Sequence, residues 1–258
     1  MKVLFVGDIV GRGGRKILGE KLKSVQEEHG IDFTIANVEN CAGGFGVTPK
    51  LASRTLGLGV DVLTSGNHAW DRREVWDFFE REPRLLRPGN YPTGVPGNYC
   101  FVGETRSGVP VAVLNLQGRV FMPIIDCPFQ FIDRHLEGIK EECPVIIIDF
   151  HAEATSEKMA FGWFVDGLVA AVVGTHTHVP TSDARVLPKG TAYITDVGMT
   201  GSYESVIGMQ VEGALARFRT GLSGRLEPAV DSPRFSSVIV GVDEDTGRAY
   251  SIERYDLD

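Results

Sequence analysis

Cysteine is scarce in this chain of 258 residues. Only Cys41, Cys100, Cys127 and Cys143 occur, with no CxxC pair and no regular spacing. They read as free thiols of a reducing cytoplasm, not as a disulfide framework. Basic charge is also short, with 26 Lys and Arg against 34 Asp and Glu and a net charge of −8. That argues against binding through a basic face, so no stable nucleic-acid complex is expected. Long apolar runs are missing too. Leu168–Val173 is among the longest, far below the roughly 18 residues a membrane span needs. Only Val3–Val6 are apolar before Gly7-Asp8, where a secretory core needs about 7–15 residues, so no leader or membrane segment is expected. No GK[ST] follows the first glycine loop, which excludes a Walker-type NTPase. The glycines at 7, 11, 13 and 14 do not form GxGxxG, because Lys16 stands where the last would fall. No linker, repeat or low-complexity tract divides the chain, and one domain over 1–258 is expected.

What is present is ordinary for a globular protein, with 43% hydrophobic and 23% charged residues. Lys2–Val6, Phe33–Val38 and Val60–Thr64 read as strands. Helical patterns lie between them, the first marked by Leu18, Leu22 and Val25 and the second opening at Thr48-Pro49. Asp71–Arg81 has helical composition, and Pro83–Gly97 is a loop. Further strands are predicted at Val109–Leu116, Val145–Ile148, Leu168–Val173, Ala192–Ile194, Phe235–Val242 and Arg248–Arg254, a helix over 154–166, and a surface loop over Ser223–Arg234. Strands interleaved with helices predict an α/β protein built round packed sheets.

In such sheets ligands sit beyond the carboxyl ends of the strands. This chain places Asp8, then Glu39 and Asn40, then Asn67 and His68, then His151, then His176 and His178 there. Four of the six histidines fall in this set. Any one of the residues has an ordinary reading: Asp8 can cap the next helix and Asn67 can close a turn. His176-Thr177-His178 is harder to dismiss, since histidines at i and i+2 in a loop opening directly after a buried strand can chelate. The joint pattern of oxygen and imidazole donors points to a metal site. Mixed imidazole and carboxylate donors suit Fe, Mn, Zn or Ni better than Ca or Mg. The set is too large for one metal with an open position, whereas two metals sharing a carboxylate use it naturally.

The ordered segments GDIVGRGGR, NVENCAGGFG, TSGNHAWD, DFHAEATSEK, VVGTHTHVPT and ITDVGMTGS resemble the calcineurin-like metallophosphoesterases, most closely their bacterial YmdB-like branch. Two positions depart from the wider superfamily. Val10 stands where most members carry histidine, and Glu39 in NVEN replaces a bridging aspartate. The resemblance implies a four-layer αββα sandwich of two mixed sheets flanked by helices, and a di-iron centre with manganese as the alternative. It implies one metal on Asp8, Glu39, Asn40 and His178, and the other on Glu39, Asn67, His151 and His176, with Glu39 bridging. His68 would be the proton donor. The implied activity is hydrolysis of cyclic nucleotides, 2′,3′-cyclic first and 3′,5′-cyclic second.

A diester carries one negative charge and needs few cationic clamps. Only Arg12 and Arg15 lie near the motifs in sequence, and Arg12 and Tyr203 are the candidate substrate contacts. Competing readings are a phosphomonoesterase on the same site, a metal-binding regulatory protein, and a Rossmann-type nicotinamide oxidoreductase. The last leaves the four histidines without a role.

Overall fold

The computed structural model describes residues 1–222 and 224–258. Its first part runs β1 (Lys2–Val6), β2 (Asp8–Ile9), α1 (Gly11–His29), β3 (Phe33–Asn37), α2 (Pro49–Leu56), β4 (Val62–Thr64) and α3 (Trp76–Arg81). The middle runs β5 (Cys100–Glu104), β6 (Pro110–Gln117), α4 (Pro128–Glu142), β7 (Val145–His151), α5 (Thr155–Phe164) and β8 (Ala171–Thr175). The last part runs β9 (Arg185–Val186), β10 (Ala192–Ile194), β11 (Met199–Ser202), α6 (Val211–Thr220), β12 (Pro233–Val242) and β13 (Ala249–Leu257). One sheet has the order β2-β11-β12-β1-β3-β4, with β13 also on β12. The other has the order β5-β6-β7-β8-β10-β9.

Both sheets are mixed. β1, β3 and β4 are parallel, but β12 lies antiparallel to β1, where a doubly wound nicotinamide-binding sheet would continue in parallel. That arrangement removes the Rossmann reading. Side-chain alternation along the strands then builds the layers. Val3 and Phe5 of β1, Ile35 of β3, Val113 of β6 and Ile147 of β7 meet between the two sheets. Their neighbours Leu4 and Val6 face Ile17, Leu18, Leu22 and Val25 of α1. On the other side Leu114 and Ile148 face Phe131, Leu136 and Ile139 of α4 and Phe161 of α5. The result is helix, sheet, sheet, helix, as the resemblance implied.

Local chemistry accounts for the element ends. Thr48 caps α2 by accepting from the Leu51 amide at 3.3 Å, with Pro49 in the first turn. The glycines of GRGG serve packing, since a side chain on Gly14 would strike the Thr200 carbonyl of β11.

Several predicted boundaries shift. β7 continues through Asp149 to His151, because its ladder with β6 pairs Asn115 with Asp149 and Gln117 with His151. β8 begins at Ala171, not Leu168, and runs to Thr175. Gly167, with φ of +82°, turns the chain first and leaves Leu168 half-exposed. Over Asp71–Arg81 only a 3₁₀ turn, Arg73–Val75, and the short α3 form. Pro233 and Arg234 belong to β12 and not to the predicted loop, whose first residue, Ser223, lies outside the described residues. Sequence reading passed over α4, although Pro128 at its first position and Ile132, Leu136 and Ile139 at i, i+4 and i+7 carry the signal.

Candidate metal centre

The carboxyl ends of β1, β3 and β4 in one sheet and of β7 and β8 in the other deliver their residues to one place. The described residues form two groups of metal-competent donors there. Asp8, Glu39 and His178 make one and Glu39, His151 and His176 the other, each with its ligand atoms within 4.8 Å of one another. Glu39 belongs to both. Asn40 and Asn67 join them: Asn40 Oδ1 is 3.3 Å from His178 Nε2, and Asn67 Oδ1 is 3.1 Å from His151 Nε2. All seven ligand candidates from the sequence therefore converge.

Hydrogen bonds behind the cluster set the direction of its lone pairs. His178 Nδ1 donates to the Ile207 carbonyl at 2.8 Å, which in the neutral ring leaves a lone pair on Nε2. Asn40 Nδ2 donates to the Gly44 carbonyl at 2.9 Å, so Oδ1 faces inward. Asp8 Oδ1 is 3.9 Å from His178 Nε2, is buried, and has no hydrogen-bond partner. Three acceptors thus face one another. The same logic holds on the other side. Thr175 Oγ1 donates to Asp149 Oδ1 at 2.6 Å and accepts from His151 Nδ1 at 2.9 Å. His151 Nε2 then meets Glu39 Oε1 at 3.1 Å, Asn67 Oδ1 at 3.1 Å and His176 Nδ1 at 3.0 Å. One ring hydrogen cannot satisfy three such neighbours. An unpartnered buried carboxylate oxygen and converging lone pairs are what a pair of cations would satisfy, so the residues present fit two metals.

The proton affinities agree. Burial pushes the Asp8 carboxyl upward, with His178 and His151 opposing. Burial would also raise Glu39, but the charge and hydrogen bond of His151 outweigh it and hold the carboxyl well below its usual range. Burial would lower His151, and Glu39 reverses that and raises it. His176 goes down to about 3, first through burial and then through the charge of His151.

The loop that carries His176 and His178 is strained. His176 and His178 have φ of +97° and +65°, where side chains with a Cβ rarely sit. A buried ion pair holds it. Lys158 Nζ donates to the Thr175 carbonyl at 2.6 Å and to Asp196 Oδ2 at 2.7 Å, and the same carboxylate oxygen accepts from the Thr177 amide at 3.1 Å. Lys158 is 1% and Asp196 0% exposed. Sequence reading missed both. The signal was a lysine inside HAEATSEK, on a helix whose neighbours are apolar. Lys158→Met strands the Asp196 carboxylate, and the fold should lose about 3–5 kcal/mol in urea unfolding. A loss below about 1 kcal/mol, the range of an exposed pair, would show that the pair does not hold the loop.

His68 lies beside the cluster. Its amide donates to Glu39 Oε2 at 3.2 Å, and its Nδ1 donates to Asp71 Oδ2 at 2.7 Å. A cleft of about 440 Å³ opens over Glu39, Asn40, His68, His176 and His178, walled by Phe45, Ile207, Met209 and Leu226. Neither Arg12 nor Tyr203 lines it. Arg12 is exposed in the otherwise buried first turn of α1 and faces a separate cavity with Arg15 and Arg54. Arg15 is turned to the Cys41 carbonyl. Tyr203 bonds Ser236 Oγ at 2.9 Å, lies under the Arg234 guanidinium, 4.9 Å from its ring centre, and lines a different cavity with Lys16 and Glu20. The cation that does reach the cleft is Arg217 of α6, a helix with no motif to mark it.

Two mixed sheets sandwiched between helices, with histidine, carboxylate and amide donors converging at their strand ends, define a metallophosphoesterase-type fold. The model of the YmdB-like protein family matches residues 4–255, and the chain belongs to that family. It is 46% identical over 254 residues to a 2′,3′-cyclic-nucleotide 2′-phosphodiesterase of Bacillus subtilis, covering 98% of this chain and 96% of that protein. Among solved structures, a hypothetical protein of Thermus thermophilus is 42% identical with a TM-score of 0.93, covering 100% of this chain and 99% of that one. A structure titled as a novel phosphatase from Mycoplasma pneumoniae is 34% identical, also with a TM-score of 0.93, covering 100% of this chain and 93% of that one.

Proposed function

We propose that this protein is a phosphodiesterase with two metal ions that hydrolyses 2′,3′-cyclic nucleotides, with 3′,5′-cyclic nucleotides as a second substrate. The observation that carries this is the pair of donor groups sharing Glu39, with Asp8 Oδ1 buried and unpartnered in one of them. Asp8, Glu39, Asn40 and His178 would hold one ion and Glu39, Asn67, His151 and His176 the other. Iron is the first choice and manganese the second. Such ions lower the pKa of water and offset charge on phosphoryl oxygens.

The chain's own residues supply the rest. Asp71 accepts from His68 Nδ1, which fixes the ring and leaves Nε2 as the atom that passes a proton. In the reaction the oxygen of water bonds to phosphorus, one of its protons passes to solvent, and the P–O2′ bond breaks. The leaving 2′-oxygen takes its proton from His68, and the product is a nucleoside 3′-phosphate. The strain of the five-membered ring lowers the barrier. Phe45, Ile207, Met209 and Leu226 offer an apolar wall for the base.

The relative of known name is a diesterase, and the cleft has few cations, which suits a monoanion better than a monoester dianion. We place the enzyme in the cytoplasm as one catalytic unit over 1–258. Its four cysteines are free, and no helix of the described residues is long and apolar enough to cross a membrane.

Protein purified without chelator should carry about two transition-metal ions per chain. Asp8→Ala and Asn67→Ala should each weaken a different ion. One ion or fewer after anaerobic reconstitution contradicts the dinuclear reading. The substrate is tested by comparing kcat/KM for 2′,3′-cyclic AMP, 3′,5′-cyclic AMP and AMP. If AMP is fastest, the same site is a phosphomonoesterase.

A further inference from the structure

A second cavity, of about 600 Å³, adjoins the cleft over the ligand cluster. Phe45, Arg217 and Leu226 line both, so the two adjoin along these side chains. The second one adds Arg72 and Arg225. Among the described residues no carboxylate forms an ion pair with Arg72, Arg217 or Arg225. Arg72 is held by two neutral acceptors, the Phe45 carbonyl at 3.0 Å and the Ala42 carbonyl. One acid, Glu227, shares the cavity. In a chain of net charge −8, three arginines about one hollow are a local reversal of sign, and guanidinium is the group suited to phosphate. A cyclic mononucleotide has only one phosphorus, which the reaction places at the ligand cluster. It leaves Arg72 and Arg225, which line the second cavity alone, without a phosphate.

We propose that this cavity is a second phosphate subsite and that the preferred substrate is a short oligoribonucleotide ending in a 2′,3′-cyclic phosphate. The inference rests on the diesterase reading above. The terminal cyclic phosphate lies at the ligand cluster. The terminal base lies against Phe45 and Leu226, and the next phosphate toward the 5′ end meets Arg217 and Arg225. The bond changes are those already given: water adds across P–O2′, and the oligonucleotide leaves with a 2′-hydroxyl and a 3′-phosphate. The reaction class that supplies such ends is RNA cleavage by internal transesterification. There a 2′-hydroxyl attacks the adjacent phosphorus, the 5′-oxygen of the next nucleotide leaves with a proton, and a cyclic phosphate remains. The acidic remainder of the protein repels a longer chain, so the gain saturates after one or two added nucleotides.

The experiment compares, on the metal-loaded protein, kcat/KM for 2′,3′-cyclic AMP with that for di-, tri- and tetra-adenylates ending in 2′,3′-cyclic phosphate. In parallel, fluorescence anisotropy follows a 5′-labelled triadenylate 3′-phosphate, which has no ring to open, and its displacement by 3′-AMP. One charged hydrogen bond to the second phosphate predicts that the dinucleotide exceeds the mononucleotide by about tenfold, with the triadenylate binding tighter than 3′-AMP by a similar factor. Arg225→Gln should abolish most of both ratios, and Arg225→Lys should restore part. Equal kcat/KM for mononucleotide and dinucleotide overturns the proposal while the diesterase reading stands, and so does a ratio that survives Arg225→Gln. Hydrolysis of no cyclic substrate defeats the diesterase reading instead, and the anisotropy ratio then decides the subsite alone.

Discussion

Gly66→Ala should abolish metal loading and activity together while leaving the protein folded. Gly66 lies in the turn after β4, between Ser65 and the candidate ligand Asn67. A Cβ there would fall on the His151 ring and on Glu39 Oε2. Neither can move without breaking contacts inside the cluster. Both are buried, His151 is pinned at Nδ1 by Thr175, and Glu39 is engaged by His151 and by the His68 amide. Overpacking of this kind costs about 1–3 kcal/mol where neighbours can shift. Here the shift would separate the residue shared by both donor groups from its partner. The expected result is a folded protein whose unfolding midpoint is lowered by several degrees, less than one metal ion per chain, and kcat at least about 10³-fold down, in line with loss of groups that stabilise transition-state charge. A variant that keeps two ions and native activity would show that the turn relaxes freely.

His68→Ala should behave in the opposite way, keeping its metals and losing kcat by roughly 10²–10⁴-fold, the range for a general acid. His68 touches Glu39 only through its backbone amide, which alanine retains. The side chain contributes the Asp71-oriented imidazole and an edge contact with Phe45 at 5.1 Å between ring centres. The loss should shrink for a nitrophenyl diester, whose leaving group needs little protonation. Asp71→Asn should mimic part of the defect, because it removes the acceptor that orients the ring. Loss of metal in His68→Ala, or an equal loss on both kinds of substrate, would assign the residue to the ligand cluster instead.

Much of this was legible in the linear chain. Short apolar runs each ending in Asp, Glu, Asn or His mark strands with polar residues at one end. Parallel strands in a sheet put those ends on one side. Asp8, Glu39, Asn40, Asn67, His151, His176 and His178 could thus be collected before any contact was known. Arg12 is near the motifs in sequence and Tyr203 has a ring that could stack on a base, but neither nearness in sequence nor residue type says which surface a side chain joins. The first turn of α1 aims Arg12 away from the cleft, while Arg217 reaches it from an unmarked helix far along the chain.

Periodicity and residue type determined the α/β class, most of the strands and the identity of the donors, because those follow from local burial and from the chemistry each side chain carries. Tertiary structure alone decided three other things. It turned β12 antiparallel beside β1, which separates this sandwich from a doubly wound sheet. It made Asp149 a buried partner of Thr175 and Asn37 inside β7, because strands from both sheets meet there and exclude water. It also joined Arg72, Arg217 and Arg225 round one cavity. Contacts between residues far apart in the chain depend on how layers stack, and no short window of sequence contains that information.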